Sequence, residues 1–420
     1  ELGDVYKRQP YGDRRIGIIQ LGLEEDACRE ISDIGHERVY RTDRLGIPLI
    51  ETVTYPEMRT PQEVADVAQI IRHLTRSTGK VRTGIGRTRQ DVNVSVAGGR
   101  RVEIKGVPRI PMIPLLVHNE AFRQLALLDI MKTLNDRGIT EDTFKYDSTE
   151  ITDIVRGTKY FPVATALKEG LEVHAVVLRG FRGILSTKTQ PETTFSKEIS
   201  DRVRVVACLD TLPNIAHSDS EGETFSSAEW TKIKKHSKMD EKDVVVVVWG
   251  SAEDAKMGIS EIAIRAREAA AGVPDETRQA LADGTNGFER ILPGPNRMYP
   301  DTDLPPLAIT EERIARISAD LAELPWDRQK RYEEMGLDGE TARRMSVSRR
   351  RYAFDEAVSR SGYPPQAVAE LLLGGIRRLR RRDGVSECGD ALFAETLAAA
   401  GSKKLPAKSL EVLLLSLIHI

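Results

Sequence analysis

The sequence predicts a mixed α+β protein of two or three domains, and three segments carry that expectation. The first is RQDVNVSVAGGRRVEIKGV (89–107), two runs of alternating apolar and polar residues around Gly98 and Gly99. That is the pattern of a β-hairpin whose turn uses the conformational freedom of glycine. The second is VVVVVWG (244–250), β-branched and without polar alternation, which reads as a strand buried on both faces and is followed by a helix from Ala252 to Ala271. The third is the change at Thr310-Glu311-Glu312, where a stretch holding Pro293, Pro295, Pro300, Pro305 and Pro306 gives way to a largely helical region. With 420 residues, 40% hydrophobic and 30% charged, the chain can bury more than one core.

Taken in order, residues 16–21 and 47–53 are expected to be short strands, with LEEDACREI (23–31) placing acidic groups beside the first. Thr60 can cap a helix with Pro61 in its first turn and an apolar stripe of Val64, Val67, Ile70, Ile71 and Leu74. Gly79 supplies the stop. With a turn near Gly98, the hairpin pairs Ser95 with Arg101, Asn93 with Glu103, and Asp91 with Lys105. A helix is expected over 111–135, with Leu115, Leu116, Phe122, Leu125 and Leu128 among its apolar positions, and 151–156 and 173–179 read as strands. The αβ unit from about 186 is a candidate inserted domain. Beyond Thr310, a break is expected at Leu324-Pro325 and turns at Gly336, Gly362 and Gly374.

The formal charge of −2 excludes a strongly basic protein but leaves an RNA partner open, because charge is unevenly spread. Arg343, Arg344, Arg349, Arg350 and Arg351 form one basic cluster, and Arg377, Arg378, Arg380, Arg381 and Arg382 another. Each either contacts phosphates or is a solvated helix face. Cys28, Cys208 and Cys388 lie far apart with no metal-ligand spacing, the usage of a reducing compartment, and the cytoplasm is the expected location. No apolar stretch is long enough to span a membrane. The chain opens on ELGDVYKRQ without Met and closes on SLEVLLLSLIHI, and residues 1–9 and 416–420 are expected to be non-native ends.

Two groups of residues can carry chemistry. Glu24, Glu25 and Asp26, with Glu51 further on, can hold a hard Mg²⁺ ion through carboxylate oxygens, or can be solvated surface and caps. Arg89, Asp91, Asn93, Arg101, Glu103 and Lys105 on the hairpin can orient a carboxylate, a phosphoryl group and the terminal nucleotide of an RNA, or can form a cross-strand ladder of ion pairs. There is no complete Walker loop, nucleophile elbow or zinc signature.

IGIIQLGLEEDACREI, GIPLIETVTYPEMRTP, GIGRTRQDVNVSVAGGRRVEIKGV and MYPDTDLPPLAIT, in that order, resemble the B/E family of glutamyl-tRNA(Gln) amidotransferase subunits, on its archaeal E side. FRGILSTKTQPETTFSKEISD through the valine run is similar to the inserted domain shared with bacterial-type aspartyl-tRNA synthetases. The resemblance implies a cradle-like α+β catalytic domain over 10–185 with a return segment at 273–308, a synthetase-like α/β insertion at 186–272, and a helical, tRNA-contacting region at 309–415. It implies a ligase of protein biosynthesis that uses ATP and Mg²⁺ to activate the glutamate of Glu-tRNA(Gln). Ammonia released from glutamine or asparagine by a partner, the D subunit of the amidotransferase, then forms Gln-tRNA(Gln).

Glu24 and Glu51 match the family's carboxylate metal ligands, with Glu25 an adjacent alternative for the first. The hairpin's polar face together with the resemblance puts Asp91, Asn93, Glu103 and Lys105 near the phosphoryl or aminoacyl centre, with Arg89 and Arg101 as candidate cofactor-binding residues. The family's early histidine-containing strand and its C-terminal tail domain have no counterpart here, so the chain alone is expected to be incomplete as an enzyme. Two other functions fit part of the same features. One is a noncatalytic tRNA-binding assembly protein, which the basic clusters suit equally; the other is an aminoacyl-tRNA synthetase fragment, favoured by the insertion.

Overall fold

The computed structural model describes residues 5–9, 12–84, 86–220, 222–291, 308–376 and 389–418. The chain divides into two compact units, one of residues 1–67 and 89–299, the other of 68–88 and 300–420.

In the first unit the valine run is a central strand. Val244–Gly250 lies between Ile215–His217 and Glu172–Leu178, antiparallel to both, with Tyr146–Glu150 at the edge. The period-two alternation of a strand sends Val244, Val246 and Val248 into one core and Val245, Val247 and Trp249 into another. Helices Ile113–Asp136, Phe195–Val206 and Ala252–Ala271 close the first core with Leu127, Ile199 and Ile262. Val163 of helix Phe161–Lys168 and Ile233 of helix Ser227–His236 close the second. Neither face of the strand meets water, which is why the run carries no polar alternation. The sheet takes strands from both sides of residue 186.

A second four-stranded sheet carries the predicted hairpin, in the order Asn286–Ile291, Glu276–Ala280, Val102–Val107, Gln90–Val94. Val92, Val94, Val102 and Ile104 are buried, so the alternate residues form an outward polar face. The turn closes through Gly99 N–H donating to Val96 O at 2.9 Å, with Gly98 at φ +80°. Helix Ile113–Asp136 pins this tip: Gln124 Oε1 accepts from Val96 N–H at 3.2 Å and its Nε2 donates to Val94 O at 3.1 Å. A methyl on Gly99 would run into Gln124 Oε1, so the turn needs glycine there for space.

Asn93 pairs with Glu103 as expected. A bulge between Gln90 and Val92 breaks the register, so Asp91 is not opposite Lys105; its Oδ1 instead accepts from Gly106 N–H at 2.8 Å. Ser95 and Arg101 lie outside the paired residues, because the strands end at Val94 and begin at Val102. Glu276–Ala280 runs parallel to the hairpin's second strand and sets Thr277 beside Glu103.

Residues 151–156 are not a strand. The paired run is the polar Tyr146–Glu150 just before them, and 151–156 fold into turns closed by Ile154 N–H and Val155 N–H donating to Ile151 O at 2.9 and 3.1 Å. Ile151 and Val155 are buried from that turn, which gives a strand-like apolar content without strand pairing. The predicted helix over 111–135 forms as Ile113–Asp136, but Leu115, Phe122 and Leu125 are 49%, 57% and 46% exposed. The buried face includes Leu116, Asn119, Glu120, Arg123, Gln124 and Leu127, because charges that find partners can occupy a core position that hydrophobicity alone assigns elsewhere.

The second unit is helical: Glu311–Ala319, Pro325–Glu334, Gly339–Ser346, Arg351–Ser361, Pro365–Glu370, Asp390–Ser402 and Leu410–Ile418. Thr310 caps the first helix by accepting from Arg313 N–H at 3.3 Å, and Pro325 opens the second after the expected break. Tyr332 packs edge-on against Phe354 in a core that includes Phe393 and Leu397. Gly336 and Gly362 form turns at positive φ, but Gly374 lies inside a π-helical turn, Leu371–Gly375. A methyl on Gly375 would sit 2.6 Å from Leu371 Cδ1, so the turn is closely packed at Gly375.

Helix Pro61–Ser77 passes from the first unit into the second. It opens on a reciprocal box, Glu63 N–H donating to Thr60 Oγ1 and Thr60 N–H to Glu63 Oε2, both at 3.2 Å, and Gly79 ends it at φ +72°. The proline-rich stretch 293–306, the second arginine cluster 377–382, and residues 1–4 and 419–420 lie outside the described residues. Among the described residues no helix is long and apolar enough to cross a membrane.

Candidate functional site

The first acidic group sits on a two-stranded ribbon of the first unit, Ile18–Glu25 antiparallel to Pro48–Thr54. Glu51 stands opposite Gly22, and Glu24 opposite Leu49, so the two carboxylates are diagonal neighbours on one face with no side chain between them at Gly22. Alternation turns Glu25 to the other face, together with the exposed Leu23. Glu24 is therefore the residue that meets Glu51.

Glu51 has its carboxyl pushed above the usual range, by the packing around it first, then by a hydrogen bond and charge repulsion from Glu24 and repulsion from Asp91; Lys105 partly offsets these. These contributions bring the ribbon and the hairpin's polar face to one place. On that face Lys105 Nζ lies 3.6 Å from Asp91 Oδ2 and 3.8 Å from Glu103 Oε1. Thr277 Oγ1 donates to Glu103 Oε2 at 3.3 Å, fixing that carboxylate from the neighbouring strand.

Glu289 completes the face and was not singled out in the sequence. Burial raises its carboxyl, Arg290 and Lys105 oppose that, and Asp91 and Glu103 add repulsion. The alternation of buried Phe288 with Glu289 was a local signal, but only the parallel pairing of Glu276–Ala280 with Val102–Val107 carries that strand beside the hairpin.

The remaining residues are placed differently. Arg89 Nη2 donates to Asp26 Oδ1 at 3.0 Å, and Arg44 Nε lies 3.6 Å from the same oxygen. The third acid of the EED group thus ties the ribbon to the hairpin. Asn93 is exposed opposite Glu103, and Arg101 is exposed before the second strand.

The result is one lysine among Glu24, Glu51, Asp91, Glu103 and Glu289, a set of oxygen donors with excess negative charge. Among the described residues no three His, Cys, Asp or Glu side chains gather closely enough to hold a metal ion by themselves. Glu24 and Glu51 nevertheless fit a hard divalent cation chemically: two carboxylates held against their mutual repulsion are relieved by a cation that still carries water or phosphate oxygens.

The sequence pattern of a family described as the GatB/GatE catalytic domain matches residues 3–315. The chain is 40% identical over 374 residues to a Pyrococcus furiosus protein named as the E subunit of glutamyl-tRNA(Gln) amidotransferase, covering 89% of this chain and 58% of that protein. Proteins of the same name from Methanocaldococcus jannaschii and Sulfolobus acidocaldarius are 36% identical over 397 residues and 38% over 409, covering 93% and 96% of this chain. The chain spans 58% to 64% of the length of these three relatives.

Proposed function

Because the chain belongs to the GatB/GatE catalytic-domain family, we propose that it is the part of an amidotransferase that activates and amidates the glutamate of Glu-tRNA(Gln). The observation that carries this is the convergence of Glu24 and Glu51 with the Lys105 face of the hairpin, since activating a carboxylate with ATP requires both a cation site and a fixed positive charge near the transferred phosphoryl group. The names of the relatives support the substrate and the reaction. ATP, ammonia from the partner D subunit of the amidotransferase and a cytoplasmic setting complete the proposal, as do the cradle, insertion and helical-region divisions.

Glu24 and Glu51 would hold Mg²⁺, which when bound supplies charge neutralisation to the phosphates of ATP. Lys105 Nζ stabilises charge on the moving phosphoryl group. Asp91 and Glu103 hold that ammonium between them, and Asn93 offers a neutral donor beside it. Arg89 keeps the ribbon and hairpin in register through Asp26, and Arg101 stands at the rim for a nucleotide phosphate. The γ-phosphoryl group passes from ATP to the side-chain carboxylate of the tRNA-bound glutamate, giving an acyl phosphate and ADP. Ammonia then attacks the carbonyl carbon, the carbon–oxygen bond to phosphate breaks, and an amide and inorganic phosphate leave with release of a proton.

In the full-length protein with its partner, Glu51→Gln is expected to lower ADP formation that depends on Glu-tRNA by on the order of 100-fold or more while the fold is kept. Undiminished ADP formation would remove Glu51 from the metal site. If the complete complex consumes no ATP with Glu-tRNA present, the noncatalytic assembly function takes its place.

A further inference from the structure

The strand Asn286–Ile291 brings to the open face of the first unit a carboxylate, Glu289, that has no role in the chemistry proposed above. Ladder pairing sets Thr277 beside Arg290 but Arg278 beside Phe288, so Glu289 is the extra residue of a β-bulge. A bulge sets two successive residues against one on the partner strand and re-aims a side chain. Glu289 comes out half-buried and Arg290 exposed, while Phe288 beside them is buried. On its other side the strand Glu276–Ala280 pairs Thr277 with Glu103 and Gln279 with Lys105. Lys105 and Glu289 therefore stand on one face two strand spacings apart, about 10 Å at the backbone.

The charges around Glu289 are uneven. Asp91 and Glu103 repel its carboxylate, and Arg290 and Lys105 attract it. Lys105 is already shared, at 3.6 Å from Asp91 and 3.8 Å from Glu103. Among the described residues the Glu289 carboxylate accepts no hydrogen bond and lies in no ion pair. A half-buried carboxylate in that setting gains most from a donor that is itself a compact cation, and an ammonium group with its several N–H donors is one.

Glutamate carried by a transfer RNA supplies such a group. Its α-carboxyl is tied up as the ester to the RNA, so the aminoacyl group presents two charges at opposite ends, the side-chain carboxylate to be activated and a free α-ammonium. A short carbon chain with a hydrogen bond of about 3 Å at either end spans the separation of Lys105 and Glu289. We infer that Glu289 is a specificity-determining residue that accepts hydrogen bonds from the α-ammonium group of the aminoacyl glutamate, whose side-chain carboxylate lies toward Lys105. The inference rests on the amidation proposed above and adds to it a requirement for an unblocked amino group.

The test uses the full-length protein with its partner and two RNAs, Glu-tRNA and the same RNA after N-acetylation of its glutamate, which removes the positive charge and leaves the reacting carboxylate. Wild type is expected to form ADP with kcat/KM about tenfold or more lower on the acetylated RNA, the loss of a charge-assisted hydrogen bond. Glu289→Gln is expected to fall to that level on Glu-tRNA, through KM with little change in kcat. On the acetylated RNA it is expected to match wild type, which also shows that the variant is folded. Glu289→Asp keeps the charge on a shorter arm and is expected to recover part of the preference.

An equal loss on both RNAs in Glu289→Gln would make the carboxylate structural or part of the cation site, and would overturn the inference. A preference for Glu-tRNA that survives the substitution, or a wild type without one, overturns it as well. A second arm needs no turnover: L-glutamate α-methyl ester is expected to raise the melting temperature of wild type more than its N-acetyl derivative does, with the difference gone in Glu289→Gln. If wild type forms no ADP on either RNA, the amidation falls, and the melting arm decides Glu289 by itself. Equal shifts with the two esters would then reject the ammonium contact.

Discussion

Two groups of charges in the first unit use the same residue types to opposite effect. In the buried group, Arg123 donates from Nε to Glu120 Oε2 at 2.8 Å and from Nη1 to Glu198 Oε2 at 2.9 Å, and its Nη2 lies 3.0 Å from Glu276 Oε1. Arg265 and Arg278 join through Glu198 and Glu276, at 3.1 and 2.5 Å, so three arginines face three glutamates. The open group has Lys105 facing Asp91, Glu103, Glu51 and Glu289, with Glu24 beyond. Balance without water produces a fixed scaffold. Imbalance at a solvent-facing surface leaves excess negative charge that a cation can offset.

The contrast breaks most visibly when the buried group loses one charge. Glu198→Ala leaves Arg123 and Arg265 without their shared carboxylate in a dry core, and the expected loss is about 3–5 kcal/mol in a denaturant titration. A loss under about 1 kcal/mol would mean that water reaches the group. Burial alone would raise the Glu198 carboxyl, but Arg123, Arg278 and Arg265 outweigh it and hold it well below the ordinary range. Glu276 is lowered in the same way, by Arg278, Arg123 and Arg265 against burial. For a depressed acid the unfolded chain takes up protons first. Stability is therefore expected to be complete above the ordinary carboxylate range and to fall as pH drops through it toward the lower native values.

An apolar deletion in the same core gives the yardstick. Val246→Ala removes two buried methyl groups from the central strand and is expected to cost about 2 kcal/mol. If it costs more than Glu198→Ala, the scaffold is held mainly by apolar packing and the ionic group is secondary.

The two groups also differ in how far the sequence discloses them. The open face was legible because a hairpin is local: Gly98-Gly99 sets the turn, alternation sets the face, and Asn93 opposite Glu103 follows by counting. Even there the bulge at Gln90–Val92 escaped, since one extra residue leaves no mark in composition. Glu289 escaped because its strand reaches the face through a pairing of residues some 170 positions apart, Thr277 with Glu103. The buried group was not read from the sequence at all. Leu115, Phe122 and Leu125 are apolar positions of the helix that stay exposed, while Glu120 and Arg123 are buried as a pair, with Arg123 reaching Glu198 of another helix and Glu276 of a strand.

Lys105→Met tests the open face from its lysine. Losing the charge that offsets Asp91 and Glu24 is expected to raise the Glu51 carboxyl further, seen as a later midpoint in a carbon-13 carboxyl titration, with stability changed by no more than about 1 kcal/mol at a half-buried site that solvent still reaches. An unmoved midpoint would separate the hairpin from the ribbon and remove the convergence on which the proposed chemistry depends.

The smallest effect is the sharpest comparison. Glu51→Gln is isosteric with the buried Glu198→Gln, yet it removes a repelled carboxylate rather than a paired one. Its raised carboxyl means that the ionised form is the strained form, so this group opposes folding above its native pKa, and the opposition fades as pH falls and a proton binds. The variant is therefore expected to be unchanged or more stable by less than about 1 kcal/mol at neutral pH, where solvent screens most of the repulsion. Mg²⁺ is expected to stabilise the wild type by about 1.4 kcal/mol at ten times its dissociation constant, and the variant by much less. A variant that is clearly destabilised, or that keeps the full Mg²⁺ effect, would place Glu51 with the structural charges and leave the cation to another part of the molecule.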